Sequence, residues 1–131
     1  MSWLVDTNVL SELLRPRPNA RVLDWFESID QASVSVITVE EIEFGFAWKP
    51  RPPVMRTFVA GLLERCSILP VTRGIAERAG LMRGELQAEG STRTPADMLI
   101  AATAQVHALT LVTRNLRDFK GCRIPLFNPF E

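Results

Sequence analysis

The chain contains one histidine, two cysteines, two lysines and no surplus of either charge, and each shortage removes a class of protein. Two cysteines cannot build a disulfide framework, and Cys66 and Cys122 form no CxxC metal or redox motif. They read as small buried hydrophobes. A net charge of zero argues against a non-specific nucleic-acid binder, which is usually basic, but leaves room for an enzyme that touches a few phosphates. No apolar run approaches the roughly 20 residues that span a bilayer. The start shows no basic n-region or cleavage site. The expectation is a cytoplasmic protein without a membrane partner. His107 has no partner motif for acid–base chemistry and reads as a helix-end residue, where positive charge suits the helix dipole. No nucleophile elbow, GxGxxG or P-loop occurs, and no repeat or low-complexity tract.

What is present is an ordinary globular composition. The 131 residues are 47% apolar and suffice for one domain, expected to span 1–131. A chain of this size buries roughly two thirds of its unfolded surface. Arginine supplies nearly all the positive charge, with Lys49 and Lys120 the exceptions. Arginine suits bidentate phosphate contacts, although a GC-rich genome produces the same bias.

The apolar pattern alternates short strands with helices. Leu4 and Val5 read as a buried strand stopped by Asp6, followed by a helix through Val9, Leu10, Leu13 and Leu14 that Pro16 and Pro18 break. Asn19 is placed to cap a helix carrying Val22, Trp25, Phe26 and Ile29. Val34, Val36 and Ile37 read as a second strand, and Thr38 as the cap of a helix that Pro50 ends. Phe44, Phe46 and Trp48 on that helix read as core, with Trp48 the one suited to a partner surface. Val54, Phe58, Val59, Leu62 and Leu63 make one apolar stripe. Ile68, Leu69 and Val71 make a third strand, which Pro70 assigns to a sheet edge. Thr72 caps a long helix with Ile75, Ala79, Met82 and Leu86 on one face. Gly90, Ser91 and Thr92 form a loop, and the helix from Pro95 to about His107 is apolar nearly all round, hence buried. Leu109–Thr113 and 124–127 supply the last strands. The expected fold is α/β, with a central, mostly parallel sheet of about five short strands and helices on both faces.

Three carboxylates sit where such a fold gathers an active site. Asp6 ends the first strand, Glu41 opens one helix and Asp97 opens another. These positions converge at the carboxyl edge of a parallel sheet, where ligands bind. Each also has a purely structural reading. Asp6 is a good helix N-cap, Thr38-x-x-Glu41 is a capping box, and Thr94-x-x-Asp97 with Pro95 at the first helical position has nearly the same form. Capping and ligation are compatible, because the helix dipole favours the ionised carboxylate that a metal needs. Clustered carboxylates repel one another and so imply a bound divalent metal, which points to metal-dependent chemistry on a phosphate. In the segment LVTRNLRDF, Asp118 is a fourth candidate, with Thr113 and Asn115 placed to hold a water or a phosphate oxygen and Arg114 and Arg117 nearby. An Asp-nucleophile phosphatase would want a second acid two residues beyond Asp6, where Asn8 stands.

Taken together, VDTNVLSELLRP, SVITVEEIEFG, ADMLIAATAQVHALTLVTRNLRDF and the closing FNP resemble the PIN-domain ribonucleases, especially the VapC-like toxins of bacterial toxin–antitoxin pairs and their FitB-like relatives. The resemblance spans essentially the whole chain. It implies an endoribonuclease using Mg²⁺ or Mn²⁺, often a homodimer, inhibited by a cognate antitoxin encoded beside it. Asp6, Glu41 and Asp97 match the family's first three acids, and Glu41 matches better than Glu40. The fourth falls at Asn115, where many relatives have Asp, or at Asp118, where others carry an acid. Thr113 matches a hydroxyl residue near the family's site, and Thr7 and Asn8 flank the first acid. The alternatives are a non-catalytic PIN-like module binding RNA or protein, which the loss of Asp at 115 favours, and a metal-dependent phosphatase.

Overall fold

The computed structural model describes residues 2–131. The first buried strand, β1 (Trp3–Val5), lies at the centre of a five-stranded sheet with β2 (Ala32–Ser35), β3 (Cys66–Leu69), β4 (Thr110–Val112) and β5 (Leu126–Phe127), in the order β3-β2-β1-β4-β5. Every pairing is parallel, so the expected mostly parallel sheet is wholly so. β3 is an edge strand, as Pro70 required. Its strand stops at Leu69, and Ile124 and Pro125 likewise fall outside β5, so both strands are shorter than the apolar runs that announced them.

Period-two alternation divides the strands between two cores. Leu4 and its partner Leu111 face one side, where they pack with Ile75, Met82, Met98, Ile100 and Phe119. Val5 and its partner Val112 face the other, with Val9, Leu10, Val22, Phe26, Val34 and Val59. The first core is roofed by α5 (Arg73–Ala88) and α6 (Pro95–Val106). The second is covered by α1 (Thr7–Leu13), α2 (Ala20–Ser28), α3 (Val36–Trp48) and α4 (Pro53–Glu64). Each fully buried Leu, Ile or Met contributes about 1.5–3 kcal/mol relative to exposure. α6 buries Met98 and Ile100 through Ala104, which explains its lack of a polar face.

The caps expected at Asn19, Thr72 and Thr94 are in place: each side-chain oxygen accepts a backbone N–H of the first turn. α5 ends in a Schellman motif. Ser91 N–H donates to Leu86 O, Gly90 N–H donates to Gln87 O, and Gly90 takes φ 88°, a conformation natural to glycine.

Three expectations need correction. Val36 and Ile37 belong to α3, not to the strand. β2 ends at Ser35, whose hydroxyl accepts Ile37 N–H and caps the helix. Thr38 is therefore inside the helix and buried, and Glu41 stands in the second turn and makes no capping box. β-branched residues read as strand, but here the side chain of Ile37 packs into the first core from a helical first turn, so packing overrides propensity. Phe44 and Trp48 are 59% and 68% exposed, and only Phe46 of that run is packed inward. The stripe on α4 is split: Val59 and Leu62 are buried, while Val54 and Phe58 stand in solvent.

Replacing the Ser35 cap with alanine strips Ile37 N–H of its acceptor. Ser35→Ala is expected to cost about 1 kcal/mol in chemical denaturation. No loss on removing that hydroxyl would contradict the cap assignment.

Candidate active site

β1 and β4 are adjacent in the sheet, and the chain leaves them in opposite directions across it, with β2 and β3 on one flank and β5 on the other. At such a switch point the carboxyl ends of the strands open a crevice. Asp6 follows β1 directly, and Thr113 follows β4. Across this edge lies an open cavity of about 680 Å³ lined by Asp6, Thr7, Asn8, Glu41, Asp97, Asn115 and Asp118, and on its α1 wall by Ser11, Glu12 and Arg15, with Arg51 beside them. The four acids singled out in the sequence thus meet around one space. A second cavity, of about 610 Å³, opens near the other ends of the strands. Among the described residues Asp30 is its one charged lining residue, so the acids singled out in the sequence do not gather there.

Asp6 is 6% exposed and closely held. Its Oδ1 accepts Thr7 N–H at 2.8 Å, its Oδ2 accepts the Thr113 hydroxyl at 2.8 Å and the Asn8 amide at 3.1 Å. Thr113 Oγ1 in turn accepts Asn8 Nδ2 and Asn115 N–H, while Asn8 Oδ1 accepts Arg114 N–H. Asn8 and Thr113 therefore lace the start of α1 to the loop after β4. The N-cap role of Asp6 and its place in the site coexist.

Thr7 serves the second acid. Its hydroxyl donates to Glu41 Oε1 at 2.7 Å and lies 3.0 Å from Thr38 Oγ1. This contact fixes Glu41, half-buried, over the cavity, while Glu40 is exposed and lines nothing here. Asp97 stands at the third position of α6, its own N–H given to the Thr94 cap at 3.1 Å. Asp118 and Asn115 come from the loop and the short 3-10 turn Leu116–Phe119. Asn115 begins this turn without using its side chain as a cap. Both side chains reach the cavity, so the two candidates for the fourth position share it.

The electrostatics are one-sided. Five carboxylates line the cavity against Arg15 and Arg51, and Arg15 is paired with Glu12 at 3.3 Å. Among the described residues no Lys or Arg makes an ion pair with Asp6, Glu41, Asp97 or Asp118. Burial, aided by the charges of Asp97 and Glu41 and opposed by the Thr113 and Thr7 hydrogen bonds, pushes the Asp6 carboxyl up to about 6. Burial also raises that of Asp97, with Asp118 adding to it and Thr94 and Arg93 opposing.

The oxygen donors facing the space are carboxylates, hydroxyls and two amides, the hard oxygen set that suits Mg²⁺ or Mn²⁺. Uncompensated acids around a buried carboxylate fit such an ion. Among the described residues no three acidic, His or Cys side chains close into a ready cage. That is compatible with an ion that keeps several waters.

Sequence reasoning passed over Ser11, Glu12, Arg15 and Arg51. The first three could have been found, because Asn8, Ser11 and Glu12 recur at helical spacing as the polar face of α1 and Arg15, just past its end, continues that spacing. Glu12 is a structural member: its Oε2 accepts Asn19 N–H at 2.9 Å and so ties α1 to α2 across the two prolines. That bond, with Arg15, holds its carboxyl below the usual range despite some desolvation. Arg114 lies outside the cavity, stacked over Phe130 at 4.7 Å, and lines a smaller adjoining groove with Arg117. His107 is exposed at the end of α6 and Cys122 is buried beneath it, while Cys66 is half-buried; none lines the cavity.

A family model described as PIN domain matches residues 3–122. The chain is 35% identical to Toxin FitB of Neisseria gonorrhoeae, with 98% of each chain covered. It is 31% identical to VapC ribonuclease Y4jK of Sinorhizobium fredii, covering 98% of this chain and 97% of that one. Among solved structures, a toxin-antitoxin complex from Klebsiella pneumoniae contains a chain 30% identical, covering 99% of each, with a TM-score of 0.79.

The raised Asp6 value has a thermodynamic consequence in metal-free protein. The native state binds this proton more tightly than the unfolded chain, with its ordinary value of 3.8. The resulting stability is complete below about pH 4 and is lost as pH rises through about 6, by at most roughly 3 kcal/mol. Asn keeps the N-cap without the charge. Asp6→Asn is therefore expected to gain stability relative to wild type between pH 4 and pH 7.5, read from urea melts in EDTA. A difference independent of pH would contradict the account of Asp6 as a desolvated, unpaired acid.

Proposed function

The chain belongs to the PIN-domain family, and from that premise we propose that it is a metal-dependent endoribonuclease acting as the toxin of a toxin–antitoxin pair. The observation that carries this reading is the meeting of Asp6, Glu41, Asp97 and Asp118 around one cavity with, among the described residues, no ion-pair partner for any of them. A cavity so acidic repels a phosphodiester unless a cation intervenes. Asp6, Glu41 and Asp97 would hold Mg²⁺ or Mn²⁺, with Asp118 or water completing the shell and Asn115 offering at most a neutral oxygen. The bound ion supplies an activated water and neutralises charge on the phosphate.

The chain's own residues do the rest. Thr113 and Asn8 hold Asp6 Oδ2 and Thr7 N–H holds Oδ1, so the carboxylate is kept aligned by hydrogen bonds that it would lose on rotating. Thr7 holds Glu41 by its Oε1 and leaves Oε2 for the cavity. The dipoles at the starts of α1 and α6 favour the ionised forms of Asp6 and Asp97. Among the described residues Arg51 is the basic lining side chain without a carboxylate partner, and it would meet a flanking phosphate, with Arg114 and Arg117 along the adjoining groove. Local arginines, not bulk charge, bring RNA to a chain of net charge zero.

A toxin of this kind needs restraint. The Klebsiella pneumoniae relative was solved with its antitoxin, and here Phe44, Trp48, Val54 and Phe58 expose apolar surface of the sort that partner chains cover. An antitoxin and a second copy of the chain are the proposed partners. Among the described residues no helix is long and apolar enough to cross a membrane, and the cytoplasm is the proposed location.

Adjacent glutamates provide the sharpest test, since neighbouring helical side chains point about 100° apart. Glu41→Gln is expected to lower RNA cleavage at least about a hundredfold, as for loss of a ligand carboxylate or its close support. Glu40→Gln is expected to leave cleavage within about twofold, as for a surface substitution far from the chemistry. Equal rates for the two variants, measured on one labelled RNA, would overturn the assignment.

A further inference from the structure

Arg93 does not line the acidic cavity, yet it touches both walls that deliver the later acids. Its backbone stands one residue before Thr94, the cap from which α6 starts and Asp97 is aimed. Its side chain runs the other way. Nη1 donates to Asp118 O at 2.7 Å, Nη2 donates to Lys120 O at 2.6 Å, and Nε donates to Ser91 Oγ at 2.9 Å. The two carbonyls end the 3-10 turn that carries Asp118. Without Arg93 they would lack this partner at a helix terminus, where cations are favourable. Ser91 anchors the other side, because it is itself fixed by the Schellman end of α5.

We propose that Arg93 is a positioning residue: its guanidinium fork clamps the turn bearing Asp118 to the start of α6 and so sets the separation across which Asp97 and Asp118 share a divalent ion. The inference rests on the metal-dependent reading above. The charge of Asp118 reaches Asp97: after burial it is the chief influence raising the Asp97 carboxyl. The planar fork is essential to the proposal, since a guanidinium spans two carbonyls in fixed geometry while an ammonium is a single flexible point. Gly121 follows Lys120, whose carbonyl the clamp holds; it takes φ 86°, and a Cβ there would approach Leu86 Cδ2 at 3.3 Å, so this stretch sits close against α5.

The test is Mn²⁺ binding to RNA-free protein, followed by electron paramagnetic resonance, with Mg²⁺ titration of RNA cleavage beside it. Arg93→Gln is expected to weaken Mn²⁺ binding about tenfold, the lower end of what supporting groups around a metal contribute. The Mg²⁺ needed for half-maximal cleavage is expected to rise in parallel. In an Asp118→Asn background the same change is expected to add less than about twofold, because the acid that Arg93 positions is gone. Arg93→Lys is expected to fall between, and it stands in for Arg93→Gln should that variant fail to fold. The proposal is overturned if Arg93→Gln costs as much Mn²⁺ affinity without Asp118 as with it, or if Arg93→Lys binds like wild type. It is likewise overturned if Arg93→Gln leaves Mn²⁺ affinity unchanged in a protein whose wild type binds the ion; that result spares the metal-dependent reading. Wild type that binds no Mn²⁺ overturns both.

Discussion

A carboxylate buried at the end of the central strand, with no ion-pair partner among the described residues, is the constraint on which the rest of the site depends. Asp6 is fixed by hydrogen bonds to Thr7, Asn8 and Thr113, so it cannot swing into solvent. It is desolvated, so its ionised form is disfavoured by roughly 3 kcal/mol relative to an exposed acid. Other acids stand across the cavity and add to the disfavour. A hard cation relieves burial and repulsion together. The fold tolerates the strain because two independent cores on opposite sides of the sheet hold the strand from which Asp6 emerges.

The sheet order explains why acids so distant in sequence meet. With β1 central and β4 beside it, the segments that follow those two strands open on one edge, and α6, which leads into β4, starts at that edge. α1 brings Asn8 and the polar face of Ser11, Glu12 and Arg15. α6 brings Asp97 at its first turn, and the loop after β4 brings Asn115 and Asp118. Glu41 arrives differently. It belongs to a helix on the second face and is drawn over the cavity by the Thr7 hydroxyl. Each acid therefore has its own tether, and the tethers are threonines, an asparagine and an arginine clamp rather than ion pairs. Among the described residues none of them is an ion pair to Asp6, Glu41, Asp97 or Asp118, so these acids keep negative charge for a cation.

Much of this was legible in the chain. Asp6 after Leu4–Val5, and Asp97 after Thr94-Pro95, declared themselves because local rules govern a strand end and a capped first turn, and these rules held. Glu41 was found for a reason that the fold revises. The capping box at Thr38 does not form, and the acid reaches the cavity through a contact with Thr7, 34 residues away, that no local pattern announces. The exposure of Phe44 and Trp48 was hidden for a different reason. An apolar helix face reads as core whether its cover is the same chain or another molecule. The polar spacing of Asn8, Ser11, Glu12 and Arg15 was readable by periodicity but masked by the stronger apolar signal of the same short helix. Arg93 carried no signal at all, since its partners are backbone carbonyls.

The most direct measurement is cleavage of a labelled single-stranded RNA by the purified chain, free of any bound partner, in EDTA and after Mg²⁺ is restored, with Asp6→Asn as the companion protein. The account predicts no cleavage in EDTA, recovery with Mg²⁺ or Mn²⁺, and none by Asp6→Asn at any metal concentration. Cleavage that persists in EDTA, or cleavage by Asp6→Asn at the wild-type rate, would contradict it.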